Sequence, residues 1–303
     1  MMKYTSRSYQ SNQDLFETGR LLRCAYSSSK YLNAWSVCRF DIWAQRRLDE
    51  TASFAETDWQ KQFRFWFDES GELAGATFAY ENHHRHKNPD PFAIVLHPEH
   101  KRLAEPMLEW AETQASPEVE IVESNLQLLE LVQARGYTRS ADFMSMREKK
   151  LAGSDPEPVN LPVGYRIEVL DQFIWGAYFV AVNNVFNMMD TMQAYHSLQQ
   201  APSNVHDLHL LVLSEKDKIA AFCSVWLDRE NHVAEFEPVG TVPGFQKKGL
   251  GSAILASACN RLREMDCPLV KVESWSESFG ANRLYSSNLL EEVGRFHSWK
   301  KAG

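Results

Sequence analysis

Val233-Ala-Glu-Phe-Glu-Pro-Val-Gly-Thr-Val-Pro-Gly-Phe-Gln-Lys-Lys-Gly-Leu-Gly-Ser252 reads as an apolar strand, a tight loop and the first turn of a helix. Val233, Phe236, Val239 and Val242 are strand formers. Pro243 and Gly244 break the run. Ser252 to Met265 then has helix-forming composition and period. A strand that delivers a Gly-rich loop to a helix N-terminus builds an anion site, because the first helical amides lack intrahelical partners and the macrodipole adds positive charge there. Gly249 and Gly251 carry no Cβ to keep a phosphate from the backbone.

Two common phosphate loops are excluded. Gly244 and Gly249 have the outer spacing of a P-loop, but Leu250 and Gly251 stand where Lys and Ser/Thr are required. The dinucleotide fingerprint fails at Ile254, where its third glycine belongs. What remains is Gln246-Lys247-Lys248-Gly249-Leu250-Gly251, which resembles the Gln/Arg-x-x-Gly-x-Gly/Ala loop of the GCN5-related N-acetyltransferase (GNAT) family. In that family the loop, running into Ser252 here, cradles the pyrophosphate of coenzyme A.

The 303 residues suffice for one large or two ordinary domains, and their composition, 44% hydrophobic and 24% charged, is that of a globular protein. No apolar run approaches the roughly 20 residues that span a bilayer, and the first ten residues show no apolar core of a secretory signal. A net charge of −8 disfavours nucleic-acid binding and mildly suits a cationic amine as substrate. Cys24, Cys38, Cys223, Cys259 and Cys267 are odd in number and scattered, which argues for reduced thiols in the cytoplasm and against a disulfide frame or zinc site.

Taken in order, residues 4–10 read as a strand, 15–26 as a helix with Asp14 available as cap, and 40–48 as a second helix. Strands at 62–68, 73–80 and 92–96, a helix at 103–115, a strand at 119–122, a helix at 126–134 and a strand at 141–147 complete the first half. Leu151 to Pro162 is rich in Pro, Gly and Ser and reads as a linker. The second half repeats the order: strand 165–170, helices 171–186 and 191–198, strands 208–213, 219–227 and 233–242, helix 252–265, strand 268–273, helix 281–289 and strand 293–299. Both halves are thus β-α-α-β-β-β-α-β-α-β, an internal duplication in an α/β fold. The chain resembles the tandem members of the GNAT family, the arrangement also used by mycothiol synthases. That implies a mixed-sheet α/β fold of two tandem acyl-CoA N-acyltransferase domains. Residues 1–150 are then a degenerate copy, since His97-Pro-Glu-His-Lys-Arg-Leu103 replaces the coenzyme loop; 151–162 are the linker, and 163–303 the acetyl-CoA-binding catalytic domain.

Aminolysis of a thioester requires a base for the amine, a donor for the developing oxyanion and an acid for the thiolate. The resemblance implies Glu235 as base, eleven residues before Gln246, with Glu237 two residues on and on the same strand face. Both carboxylates are equally readable as solvated or ion-paired surface groups. Pro238 removes an amide from the strand and favours a bulge or unpaired edge. In the family this strand splays from its neighbour and the pantetheine arm adds like an extra strand, which assigns those contacts to Val239, Gly240, Thr241 and Val242. Ala281-Asn-Arg-Leu-Tyr285 resembles the family's Asn-x-x-Ala-x-x-Leu-Tyr, with Ser278 in place of the Asn, and implies Tyr285 as the acid. The alternative reading of that residue is a half-buried packing tyrosine.

Other groups carry weaker signals. His83-His84-Arg85-His86 reads as a solvated loop more readily than as a metal site. His206 and His209 flank a strand start and are candidates for an acceptor pocket, as are Asn183, Asn184, Asn187, Met188 and Asp190; His97 and His100 read as surface. Trp35, Trp43, Trp59 and Trp66 read as core or interface. The expected function is acetyl transfer from acetyl-CoA to a small-molecule amine, with no metal, nucleic acid or membrane partner. A non-catalytic acyl-CoA-binding module and an aminoacyl transferase of the same fold stay open.

Overall fold

The computed structural model describes residues 3–48, 59–80, 91–114, 118–186 and 196–301. The first half runs β1 (Thr5–Ser8), α1 (Gln13–Ser28), α2 (Val37–Leu48), β2 (Phe63–Phe67), β3 (Leu73–Ala79), β4 (Phe92–Leu96), α3 (Ala104–Glu112), β5 (Glu118–Val122), α4 (Leu126–Ala134) and β6 (Tyr137–Lys150). The second runs β7 (Tyr165–Val169), α5 (Trp175–Phe186), β8 (Asn204–Ser214), β9 (Ile219–Asp228), β10 (Val233–Thr241), α6 (Leu250–Glu264), β11 (Leu269–Trp275), α7 (Phe279–Ser287) and β12 (Glu291–Lys301). The duplicated element order is therefore present apart from the second helix of the second half. Most of the helix expected at 191–198 and the whole of His83 to His86 lie outside the described residues.

All twelve strands join one mixed sheet in the order β1-β2-β3-β4-β5-β12-β6-β11-β10-β9-β8-β7. Among the described residues only β4–β5 and β10–β11 pair in parallel. The centre of the sheet is exchanged. β12, made last, pairs with β5 and β6 of the first half. β6 in turn pairs with β11 of the second half as well as with β12. Each half's terminal strand closes the gap beside the fifth strand of the other.

The core follows from strand and helix periods. β9 is buried along its whole length, as a run covered on both faces must be. Its Ala221, Cys223, Val225 and Leu227 pack with Leu250, Ile254 and Leu262 of α6, while Phe222 and Trp226 face α5 on the other side. α2 is a wedge between the halves: Phe40, Trp43 and Ala44 pack in the first-half core, and Cys38 and Ile42 in the second. Cys223 and Cys259 are buried, and all five cysteines are unpaired.

Two local expectations need correction. Asp14 does not cap α1. It is buried against Arg7, 2.6 Å from Nη2, because an oppositely charged neighbour outcompetes the helix end. Residues 151–164 lack helix and strand yet are tied down: Glu157 accepts from Lys149 Nζ (2.7 Å) and Arg263 Nη2 (2.8 Å), and its amide donates to Asn260 Oδ1 (2.8 Å).

Candidate active site

β10 pairs with β11 only from Val233 to Glu235; beyond Glu235 the two strands part. Toward β9 the pairing resumes after an irregularity, with Phe236 opposite Val225 but Val239 opposite Cys223. The extra residue lies at Glu237–Pro238, a cis peptide, where Pro238 has no amide to offer a ladder. The Glu237 carbonyl accepts from the Trp226 indole instead.

Strand alternation decides which backbone groups face the open wedge. The Val242 amide donates to Ala220 O at 2.9 Å, toward β9. Gly240 points the same way, so Val239 and Thr241 turn their amides and carbonyls to the wedge. Of the four residues assigned to a pantetheine arm, Gly240 and Val242 face β9 while Val239 and Thr241 face the wedge, where Thr241 O is engaged by Gln246. Gly240 has another reason to be glycine: a Cβ there would lie 2.3 Å from the Phe222 ring.

The loop that follows is shaped as an anion cradle. Gly249 ends it in the left-handed region at φ 78°, a conformation that favours glycine. The first intrahelical bond of α6 runs from Ala253 N to Gly249 O (3.0 Å), so the amides ahead of it are outside the helix ladder. Gln246, Lys247, Lys248 and Gly249 are exposed. Gln246 Nε2 donates to Thr241 O (3.3 Å) and Lys248 Nζ to the Tyr165 hydroxyl (3.1 Å). Leu250 is buried in the core, and Ser252 Oγ accepts from Asn288. Gly251 serves packing, since a Cβ there would meet Leu284 at 3.1 Å.

The corresponding place in the first half is closed in two ways. Pro98 to Leu103 forms a 3-10 helix with no glycine. The edge of β4 is also already used: Asn33 Oδ1 accepts from Leu96 N (2.9 Å) and Asn33 Nδ2 donates to Leu96 O (3.1 Å). Leu96 is the counterpart of Thr241, because the next residue, His97, donates its amide back to β3 just as Val242 does to β9.

A cavity of about 470 Å³ opens where β10 and β11 part, and both halves line it. Glu235, Glu237, Glu273 and Tyr285 meet there, with Arg39 of α2 opposite. Glu235 is 5% exposed. Glu237 is exposed, and its open surface lies in the cavity lining. Burial, then the charge of Glu235, pushes the Glu237 carboxyl up to about 7 against the pull of Arg46 and Arg39. Glu273 is raised for the same two reasons, with Arg39 opposing at 3.9 Å. Arg39 also donates to Glu120 (3.1 Å) and lies 4.3 Å from the Trp35 ring centre. The Tyr285 hydroxyl is held protonated by burial and then by the nearby Glu237 and Cys223. Asn282, one turn earlier, fixes the start of α7 by donating to Trp275 O (2.9 Å) and accepting from Ser274 Oγ (2.8 Å).

Other expected residues divide. His209 lines the cavity, its pKa lowered to about 4 by burial and then His206, so its ring is neutral at pH 7. His206 is exposed beside Asp207. Trp35 and Trp43 border the cavity, and Trp59 and Trp66 are buried in the first-half cores. On α5 the lining residues are Val182, Val185 and Phe186, not Asn183 or Asn184; Asn187, Met188 and Asp190 lie outside the described residues. Glu273 and Arg39 were missed. A carboxylate within the apolar run 269–275 was a usable signal for the first. Nothing local marks the second.

A strand that parts from its parallel neighbour and then delivers a glycine cradle is a specific geometry, and residues 175–289 match the model of the acetyltransferase (GNAT) family. Over these residues the chain is similar to GNAT domains. The whole chain is similar in fold to a GCN5-related N-acetyltransferase from Sphaerobacter thermophilus, at 17% identity, covering 98% of this chain and 95% of that one with a TM-score of 0.66. It is also similar to a tandem GNAT protein of the clavulanic acid biosynthesis pathway (13% identity, 99% and 98% covered, TM-score 0.66) and to a GNAT-family acetyltransferase from Colwellia psychrerythraea (10%, 98% and 100%, 0.64). No curated protein matches the sequence. The chain thus has the tandem GNAT fold, and the family match over residues 175–289 supports acyl transfer. No described helix is long and apolar enough to cross a membrane, and among the described residues no group of His, Cys, Asp and Glu is placed to hold a metal.

Proposed function

We propose that the protein transfers an acetyl group from acetyl-CoA to the amine of a small molecule by direct attack on the thioester, at a single site in the second half. The observation that carries this reading is the meeting of Glu237, a carboxyl with a pKa of about 7, and Tyr285, a protonated phenol, at the mouth of the β10–β11 wedge. The wedge suits the amide-bearing arm of coenzyme A, with Val239 and Thr241 offering strand-like backbone bonds. The exposed amides before Ala253 and the Gly249 turn suit its pyrophosphate.

In this mechanism an ammonium ion enters beside Glu235 and Glu237. Glu237 takes one proton, which an amine with a pKa near ~10 does not release unaided at neutral pH. The nitrogen lone pair forms the new bond to the carbonyl carbon. As the carbon–sulfur bond breaks, Tyr285 gives its proton to the leaving sulfur, and the second proton lost from the nitrogen restores the phenol, leaving the neutral amide and free thiol. The resemblance favours Glu235 as the base; the raised carboxyl and open surface favour Glu237, with Glu235 holding the ammonium. Five unpaired cysteines suit a reducing compartment, and we read the site of action as the cytoplasm.

The test is acetyl-CoA with a panel of amines, following free thiol. Thiol release that depends on amine supports the reading. Tight acetyl-CoA binding with no turnover on any amine would instead favour a non-catalytic acyl-CoA-binding module.

A further inference from the structure

The cavity has two chemically different ends. At one, the carboxylates of Glu235 and Glu237 make no hydrogen bond or ion pair to any described residue, although Glu235 is only 5% exposed. Burying a carboxylate without a partner is costly unless a ligand supplies one. At the other end Val182, Val185 and Phe186 of α5 stand with Trp175, Leu198 and Ile42. Among the described residues near that end, Gln199 is an open polar side chain, while the Tyr178 hydroxyl is engaged with Ser224 Oγ (2.8 Å) and the His209 ring with Asn204 Oδ1. Hydroxyls of a sugar would find few open partners there. A carboxylate on the acceptor would meet Glu235 and Glu237. Among the described residues the cations lining the cavity are Arg39, occupied by Glu120 and Glu273, Arg47, which lies over the Trp43 ring at 4.1 Å, and Arg46, whose charge already acts on Glu237.

We infer that the acceptor is a hydrophobic primary amine, its ammonium held by Glu235 and Glu237 and its apolar body laid against α5. This rests on the acetyl-transfer reading and narrows it from any small amine to one with an aryl or alkyl body and no anionic group. The unpartnered carboxylates orient the nitrogen toward the wedge, and the apolar end supplies binding energy remote from the reacting atoms.

The test compares kcat/KM, by thiol release with the whole protein and acetyl-CoA, for 2-phenylethylamine, hexylamine, ethanolamine, glucosamine and lysine. The two apolar amines should exceed ethanolamine by on the order of 50-fold, the scale set by burying a phenyl or hexyl body. Val185→Asn should narrow that ratio by about 5-fold or more through KM. Equal or better use of ethanolamine, glucosamine or lysine overturns the inference and leaves acetyl transfer standing. No thiol release with any of the five overturns both. A ratio unchanged in Val185→Asn, in a variant with wild-type thermal unfolding, also overturns the assignment of the apolar end.

Discussion

Arg39 Nη1, on the second helix of the first half, lies 3.9 Å from Glu273 Oε2 in the second half, while Nη2 of the same guanidinium sits 3.1 Å from Glu120 Oε2. One planar cation thus serves two buried carboxylates from the two halves, a role that a lysine's single ammonium fills poorly. Arg39→Met leaves both without their shared partner. Unfolding in urea should show a loss of about 3 kcal/mol or more. Arg39→Lys should recover less than half of it.

Glu237 fixes the pH dependence. If it is the base, kcat/KM for a good amine should rise with pH through about 7, where the carboxyl loses its proton. Glu237→Gln should lower kcat by on the order of 100-fold and remove that limb. A limb that persists in Glu237→Gln and vanishes in Glu235→Gln would move the role to Glu235.

The same group sets a stability trend. Its folded pKa of about 7 is above the ordinary glutamate value of 4.5, so the folded state binds more protons than the unfolded one between those pH values. Stability from this group is then full below about 4.5 and is lost as pH rises to about 7. The melting temperature of Glu237→Gln minus that of wild type should be more positive at pH 8 than at pH 5.

Tyr285→Phe keeps the ring in its packed place and removes only the hydroxyl. Turnover should fall by on the order of 10- to 100-fold with acetyl-CoA affinity within about 2-fold. An unchanged rate removes Tyr285 from the chemistry.

Asn33 occupying the edge of β4 predicts one coenzyme per chain. Titration calorimetry with acetyl-CoA should give a stoichiometry near one. Gly249→Asp should weaken that binding at least about 10-fold, by setting a carboxylate and a strained backbone against the pyrophosphate. Asn33→Ala should cost about 1–3 kcal/mol of stability and leave the stoichiometry at one.

What was legible in the chain is what local chemistry dictates. The run from Val233 to Ser252 carries its strand formers, its breakers and its helix start in twenty consecutive residues, and all three elements are there. Gly249 shows its purpose in its φ value, while Gly251 turns out to make room for Leu284, a contact set 33 residues away in the chain. Arg39, Glu273 and Asn33 were illegible for one reason. Each acts through a partner distant in sequence: Arg39 through Glu120 and Glu273, Asn33 through Leu96. Asp14 fits the cap pattern and was claimed by Arg7, a tertiary partner that no window of sequence displays. The exchange of β6 and β12 belongs to the same class, since two strands of equal pattern carry no label saying whose sheet they enter.

That exchange has a consequence for the order of synthesis. The gap beside β5 is filled by residues 296–300, which the ribosome makes about 170 residues after β5 itself. The first half, though translated first, waits with an unfilled slot until nearly the whole chain has been extruded. Throughout that interval the β5 edge, Glu118 to Val122, lacks the partner strand it has in the finished fold and is open to wrong pairings.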